Sequence, residues 1–186
     1  MFTIPNLLSL LRMGMVPLFI IAVVNGDSGK ALALFVVAGV TDALDGFIAR
    51  FWRQQSPLGA YLDPIADKLL LTSAYIALSI PSLNRGTEIP IWVTVLVIAR
   101  DVLIVIVALV LHLAAGVRAF PPTLLGKGNT VLQVGAVVVV LMSGTFKDLR
   151  WIDVTANVLV YAVGVMTVAS GLSYIVRAGM ETRPRC

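Results

Sequence analysis

Val134-Gly135-Ala136-Val137-Val138-Val139-Val140-Leu141-Met142 lies inside a stretch, 124–145, whose one charged residue is Lys127. The four consecutive valines do not alternate with polar residues, so the run does not fit a strand of a membrane barrel, which needs dyad alternation over about ten residues. A bilayer core of about 30 Å is crossed by a helix of roughly 20 residues, and a helix satisfies its own backbone polar groups there. The stretch therefore predicts a membrane-spanning helix.

Working outward, five further stretches read the same way, at 5–25, 30–52, 58–80, 89–113 and 153–177. The breaks between the six carry turn chemistry: Asn25-Gly26-Asp27, Gln54-Gln55-Ser56-Pro57, Pro81 to Gly86, Gly116 to Pro122 and Lys147 to Arg150. The expected fold is an all-α integral membrane protein of six transmembrane helices, forming a single domain over 1–186. Composition agrees, with 59% hydrophobic and 13% charged residues, against roughly 45–50% and 25% in soluble proteins. Residues 7–24 read as a retained first helix, since the first cationic side chain is Arg12 and further apolar spans follow.

Charge sets the expected orientation. The N-terminus, second and fourth loops and C-terminus would share one side, carrying Arg50, Arg53, Arg118, Lys127, Arg177, Arg183 and Arg185. The other side carries Lys30, Arg85, Lys147 and Arg150. The excess of Lys and Arg places both termini in the cytoplasm. The net charge of +4 has the same origin; no basic cluster with interleaved aromatics points to nucleic acid. The one cysteine, Cys186, closes the sequence as given, which offers neither an internal disulfide nor a prenylation box.

Five of the ten acidic residues fall inside these spans: Asp42, Asp45, Asp63, Asp67 and Asp101. Each charge costs at least about 2.5–3.5 kcal/mol at mid-membrane, so such residues face a wet cavity, a partner charge or an ion. Asp42 and Asp45 are i and i+3, and Asp63 and Asp67 are i and i+4, so each pair shares a helix face. The short loop makes the two helices antiparallel neighbours, which brings both pairs to the same membrane face. Four carboxylates aimed at one another repel unless cations sit between them. Oxygen ligands without His or Cys suit hard ions such as Mg²⁺, Mn²⁺ or Ca²⁺, and paired metals serve phosphoryl chemistry. Gly46, Ala49 and Gly59 leave room beside the carboxylates for a ligand or for a partner backbone.

Read in order, Asp42-x2-Asp45-Gly46-x2-Ala49-Arg50-x8-Gly59-x3-Asp63-x3-Asp67 resembles the motif of the CDP-alcohol phosphatidyltransferase family at all eight positions. Ile4-Pro5-Asn6-Leu7, Arg12, Pro64-x2-Asp67-Lys68, Ala99-Arg100-Asp101 and Gly126-Lys127 are similar to the phosphatidylglycerophosphate synthase and cardiolipin synthase branch, so the likeness covers roughly 4–135. The resemblance implies a homodimer in a bacterial-type inner (plasma) membrane, with two Mg²⁺ or Mn²⁺ ions in a site facing the cytoplasm. It implies Asp42, Asp45, Asp63 and Asp67 as metal ligands, with Asp67 also the general base. Asp42, Asp45, Gly46, Ala49, Arg50 and Gly59 would bind the CDP moiety of CDP-diacylglycerol.

The acceptor is read from the cations. Arg12, Arg100 and Lys127 are expected to hold a phosphorylated acceptor, glycerol 3-phosphate, since a helix start carrying a Lys is a ready phosphate site. The alternative is that Arg100 pairs with a site aspartate and Lys127 marks the cytoplasmic interface. Arg100-Asp101 is also closer to the cardiolipin synthase form, whose acceptor is phosphatidylglycerol. His112 reads as an interfacial residue, and no Ser/His/Asp set supports a covalent nucleophile. An ion-coupled transporter is the rival outside catalysis, weakened by the acidic residues clustering in two helices with no counterpart later.

Overall fold

The computed structural model describes the backbone of residues 4–52, 57–83, 86–115, 124–146 and 148–181, and side chains over 8–42, 65–83, 86–107, 124–146 and 148–176. Among the described residues the chain is all helical: α1 Ile4–Val24, α2 Ser28–Trp52, α3 Pro57–Leu78, α4 Ile91–Ala115, α5 Leu124–Thr145 and α6 Arg150–Glu181. The first five lie within two residues of the expected spans. α6 runs longer at both ends, and its 32 residues reach about 48 Å at 1.5 Å per residue, so it extends past its apolar stretch.

The turns follow from local chemistry. α1 ends in a Schellman arrangement: Gly26 N–H donates to Val23 O at 2.8 Å and Asp27 N–H to Ala22 O at 2.9 Å. Gly26 sits at φ 69°, where a Cβ is disfavoured. Asp27 then caps α2, its Oδ1 accepting from the Lys30 N–H at 3.4 Å. Pro57 opens α3, at a position where its missing N–H is not needed.

α1 packs on α2 and α3, α5 on α2 and α6, and α4 chiefly on α6. Phe19 and Phe35 meet with ring centroids 6.0 Å apart at the α1–α2 seam. Tyr75, Leu78, Val93, Val97, Val137, Val140 and Val163 are buried between the other helices. α4 and α6 run parallel. Trp92 seats on Gly164, where a Cβ would lie 2.9 Å from the indole ring. Seven residues further along α6, Gly171 meets Arg100, so two contacts fix the register. The outward faces stay apolar, with Leu124 87% and Val131 73% exposed. α5 and α6 are long and apolar enough to cross a membrane.

Candidate carboxylate site

α2 ends at Trp52 and α3 begins at Pro57, so Asp42 and Asp67 each stand ten residues from that link. At 1.5 Å per residue both lie about 15 Å down their helices, level with each other. Between them comes Arg12 of α1, 0% exposed. Its Nη1 lies 2.7 Å from Asp42 Oδ1 and 2.5 Å from Asp67 Oδ1, while the two carboxylates remain 40% and 49% exposed. The arginine is sealed inside the bundle; the carboxylates look into a cavity of about 220 Å³ lined also by Phe35, Ala38, Gly39, Leu70, Leu71, Thr130 and Val134. Apart from Thr130 and Gly39, those further lining residues are hydrocarbon side chains.

The expectation that the second and third helices face their aspartates to one another is met for Asp42 and Asp67. Asp45 lies in α2 and Asp63 in α3, one turn nearer the link; with Gly46, Ala49, Arg50 and Gly59 they are helical, and their side chains lie outside the described residues. Among the described residues no group of three acidic, His or Cys side chains gathers. Whether the site suits a divalent ion is therefore judged on Asp42 and Asp67. Both oxygens already reach one cationic nitrogen, so both lie within reach of one ion, and a pure oxygen donor set fits a hard cation.

The three expected acceptor cations do not converge. Arg12 joins the carboxylates. Arg100, 8% exposed, donates from Nη1 to Asp101 Oδ1 at 2.9 Å and from Nη2 to Ser170 Oγ at 2.8 Å. Its guanidinium lies 6.0 Å from the Tyr174 ring centroid. Asp101 also accepts from Lys68 Nζ at 2.5 Å. Arg100 thus pairs with an aspartate, and that aspartate lies outside the motif. Lys127 is exposed in the first turn of α5. Thr130, three residues on, lines the carboxylate cavity, so Lys127 stands one turn further out on that side of α5.

Sequence reasoning counted Asp101 among the in-span carboxylates and Lys68 in the branch likeness without pairing the two, and missed a buried polar seam on α5 and α6. Asn129 and Gln133 are fully buried, and the Thr167 hydroxyl donates to Asn129 Oδ1 at 3.3 Å. Their i, i+4 spacing in an apolar helix was the available signal. At the far end of the bundle an open hollow of about 820 Å³ is lined by Thr87, Glu88, Ser143 and Asp153. Thr87 closes on its neighbours there: its N–H donates to Ser143 Oγ at 2.8 Å and its hydroxyl to Asp153 at 3.2 Å. That hollow contains none of the motif carboxylates.

Fold and site together define a helical membrane protein with carboxylates paired across two helices around a buried cation. Residues 2–171 match the family described as CDP-alcohol phosphatidyltransferase, and the chain belongs to that family. It is 35% identical over 181 residues to a Mycobacterium tuberculosis protein named "Probable phosphatidylglycerophosphate synthase", covering 93% of this chain and 80% of that protein. A Rickettsia felis protein named CDP-diacylglycerol–glycerol-3-phosphate 3-phosphatidyltransferase is 30% identical over 182 residues, 92% of each chain. A Rattus norvegicus cardiolipin synthase (CMP-forming) is 46% identical over 104 residues, 55% of this chain. The chain spans only 33% of the length of that protein and of its Homo sapiens counterpart. Membership of a transferase family displaces the transporter reading.

Proposed function

We propose that the protein transfers a phosphatidyl group from CDP-diacylglycerol to glycerol 3-phosphate, giving phosphatidylglycerophosphate and CMP. The observation that carries this is the level pairing of Asp42 and Asp67 across α2 and α3, within the family motif, beside a largely apolar cavity. In this reading the acceptor hydroxyl attacks the phosphorus that bears diacylglycerol. The bond from that phosphorus to the bridging oxygen breaks, and CMP leaves with that oxygen. Asp67 takes the hydroxyl proton. Asp42, Asp45, Asp63 and Asp67 would hold two Mg²⁺ or Mn²⁺ ions, whose chemistry is to neutralise the diphosphate and the departing CMP. Gly46, Ala49, Arg50 and Gly59 border the nucleotide, and Lys127 meets the acceptor phosphate at the cavity mouth.

The same reading gives six spans, both termini and the site in the cytoplasm, a bacterial-type inner membrane and a homodimer. The relative named for glycerol 3-phosphate supports the acceptor, because the likeness runs over nearly the whole of both chains. A second reading, cardiolipin synthesis from phosphatidylglycerol, is favoured by the higher identity to the rat protein over a shorter stretch. Detergent-purified protein, given CDP-diacylglycerol and both acceptors together, tests both. CMP release with phosphatidylglycerophosphate as the main product is expected. Cardiolipin as the main product replaces the acceptor, and no CMP release with either acceptor removes the reading.

A further inference from the structure

α3 presents two consecutive charged residues to opposite neighbours. Asp67 turns to Arg12 on α1, and Lys68, about 100° around the helix, turns to Asp101 on α4. At the end of the bundle away from the site, the segment leading into α4 is tied to α3 by backbone: Ile89 N–H donates to Leu78 O at 3.2 Å. The Thr94 hydroxyl donates to Tyr75 O at 3.3 Å. Towards the site the two helices are separated by an apolar cleft of about 420 Å³, lined by Ile98, Val102, Val105 and Ile106 and spanned by the Lys68–Asp101 pair. Asp101 is itself fixed, because Arg100, anchored to Ser170 of α6, holds its other oxygen.

We propose that Asp101 is a positioning residue for the carboxylate site: by holding Lys68 it fixes the rotation of α3 and thereby the aim of Asp67. The inference rests on the proposed function in treating Asp67 as a working carboxylate that shares a divalent ion with Asp42. A rotation of α3 moves Asp67 relative to Asp42 on α2, and a shared ion feels that change directly. Outer partners that orient metal ligands typically contribute about 10- to 100-fold in metal affinity or activity.

The test uses the full-length purified protein. Mn²⁺ affinity is read from the free-ion signal in electron paramagnetic resonance, and kcat and KM from CMP release. Asp101→Asn and Lys68→Gln should each weaken Mn²⁺ binding and lower kcat by about tenfold or more, with the donor KM little changed. The double variant should be no worse than either single one, since both remove the same link. Asp101→Glu, which keeps the charge, should recover most of both losses.

Wild-type Mn²⁺ affinity in Asp101→Asn would overturn the proposal, as would losses that add in the double variant. A defect confined to the acceptor KM would also overturn it, by making Lys68 a direct contact. If Asp101→Asn does not elute as a folded species, Lys68→Gln and the Glu rescue decide. Failure of the wild type to release CMP would count against the proposed function alone, because Mn²⁺ binding reads the brace independently of any acceptor.

Discussion

Among the described residues two ionic clusters are mirror images in charge. Around Arg12, one cation serves two anions, Asp42 and Asp67. Around Asp101, one anion serves two cations, Lys68 and Arg100. Among the described side chains the first cluster sets one cation against two carboxylates and opens onto a cavity, which gives room for a further cation. The second is fixed between helices, and Arg100 completes its contacts with Ser170 and Tyr174. Both cost desolvation in a low-dielectric bundle. What separates them is how the carboxylate is held: Asp42 and Asp67, 40% and 49% exposed beside a cavity, suit a cationic ligand, whereas Asp101, 17% exposed and gripped by two cations, points to architecture.

The sharpest way to break that distinction is to neutralise each carboxylate of the open cluster. Asp67→Asn should lower kcat by about 10²–10⁴-fold, the range of a general base, while CDP-diacylglycerol still binds. Asp42→Asn should lower turnover by at least about 10²-fold and also weaken donor binding, since in the proposed reading the diphosphate is held through metal. Chelation of divalent ions should abolish CMP release in the wild type. Equal losses of donor affinity in the two variants would leave Asp67 without a separate role.

A smaller effect is expected at the cavity mouth. Lys127→Ala removes a charge-assisted contact of about 1.5–3 kcal/mol, or roughly 10- to 150-fold in affinity. The change should appear in the KM for glycerol 3-phosphate and leave the donor KM alone. An unchanged acceptor KM would make Lys127 an interfacial residue and return the acceptor site to Arg12 and the cavity floor.

The helices were legible because apolar runs and turn residues are local properties. Asn25-Gly26-Asp27 could be read as a break, and its Schellman geometry needs only that triplet and the last turn of α1. The facing of Asp42 and Asp67 was legible too, because a short link between helices leaves little choice of register. The partners of Arg12 and Arg100 were not, since they depend on how α1 and α6 lie against helices distant in sequence. For α6 that register is set by Trp92 on Gly164 and by Arg100 beside Gly171, contacts between residues about seventy apart with no local signature. Arg100 therefore looked available for a substrate phosphate, although its donors are directed to Asp101 and Ser170.

The buried arginine of the open cluster should also carry stability. Arg12→Met leaves Asp42 and Asp67 facing each other across the cavity without their cation. Removing one partner of a fully buried pair costs about 3–5 kcal/mol; here the carboxylates are half-exposed, so the loss should be about half that or less, and melting should fall by several degrees. A divalent ion can take the place of the guanidinium between the two oxygens, so added Mg²⁺ should raise the melting temperature of Arg12→Met more than that of the wild type. Equal shifts in the two proteins would mean that the ion and the arginine do not compete for the same carboxylates.

The smallest effect is expected in the Asp101 cluster. Arg100→Lys keeps the positive charge beside Asp101 but has one nitrogen where the guanidinium has a fork. Asp101 keeps a cationic partner, so α3 should keep its brace through Lys68. The bond to Ser170 and the stacking over Tyr174 cannot both be reproduced, and a net loss of about 1 kcal/mol is expected, the worth of a typical hydrogen bond. Thermal unfolding in detergent should show a drop of a few degrees, with the KM for both substrates within about twofold of wild type. That result would place Arg100 in the architecture. A rise in acceptor KM comparable to that of Lys127→Ala, with melting unchanged, would instead mean that the guanidinium leaves Ser170 to meet the substrate during turnover.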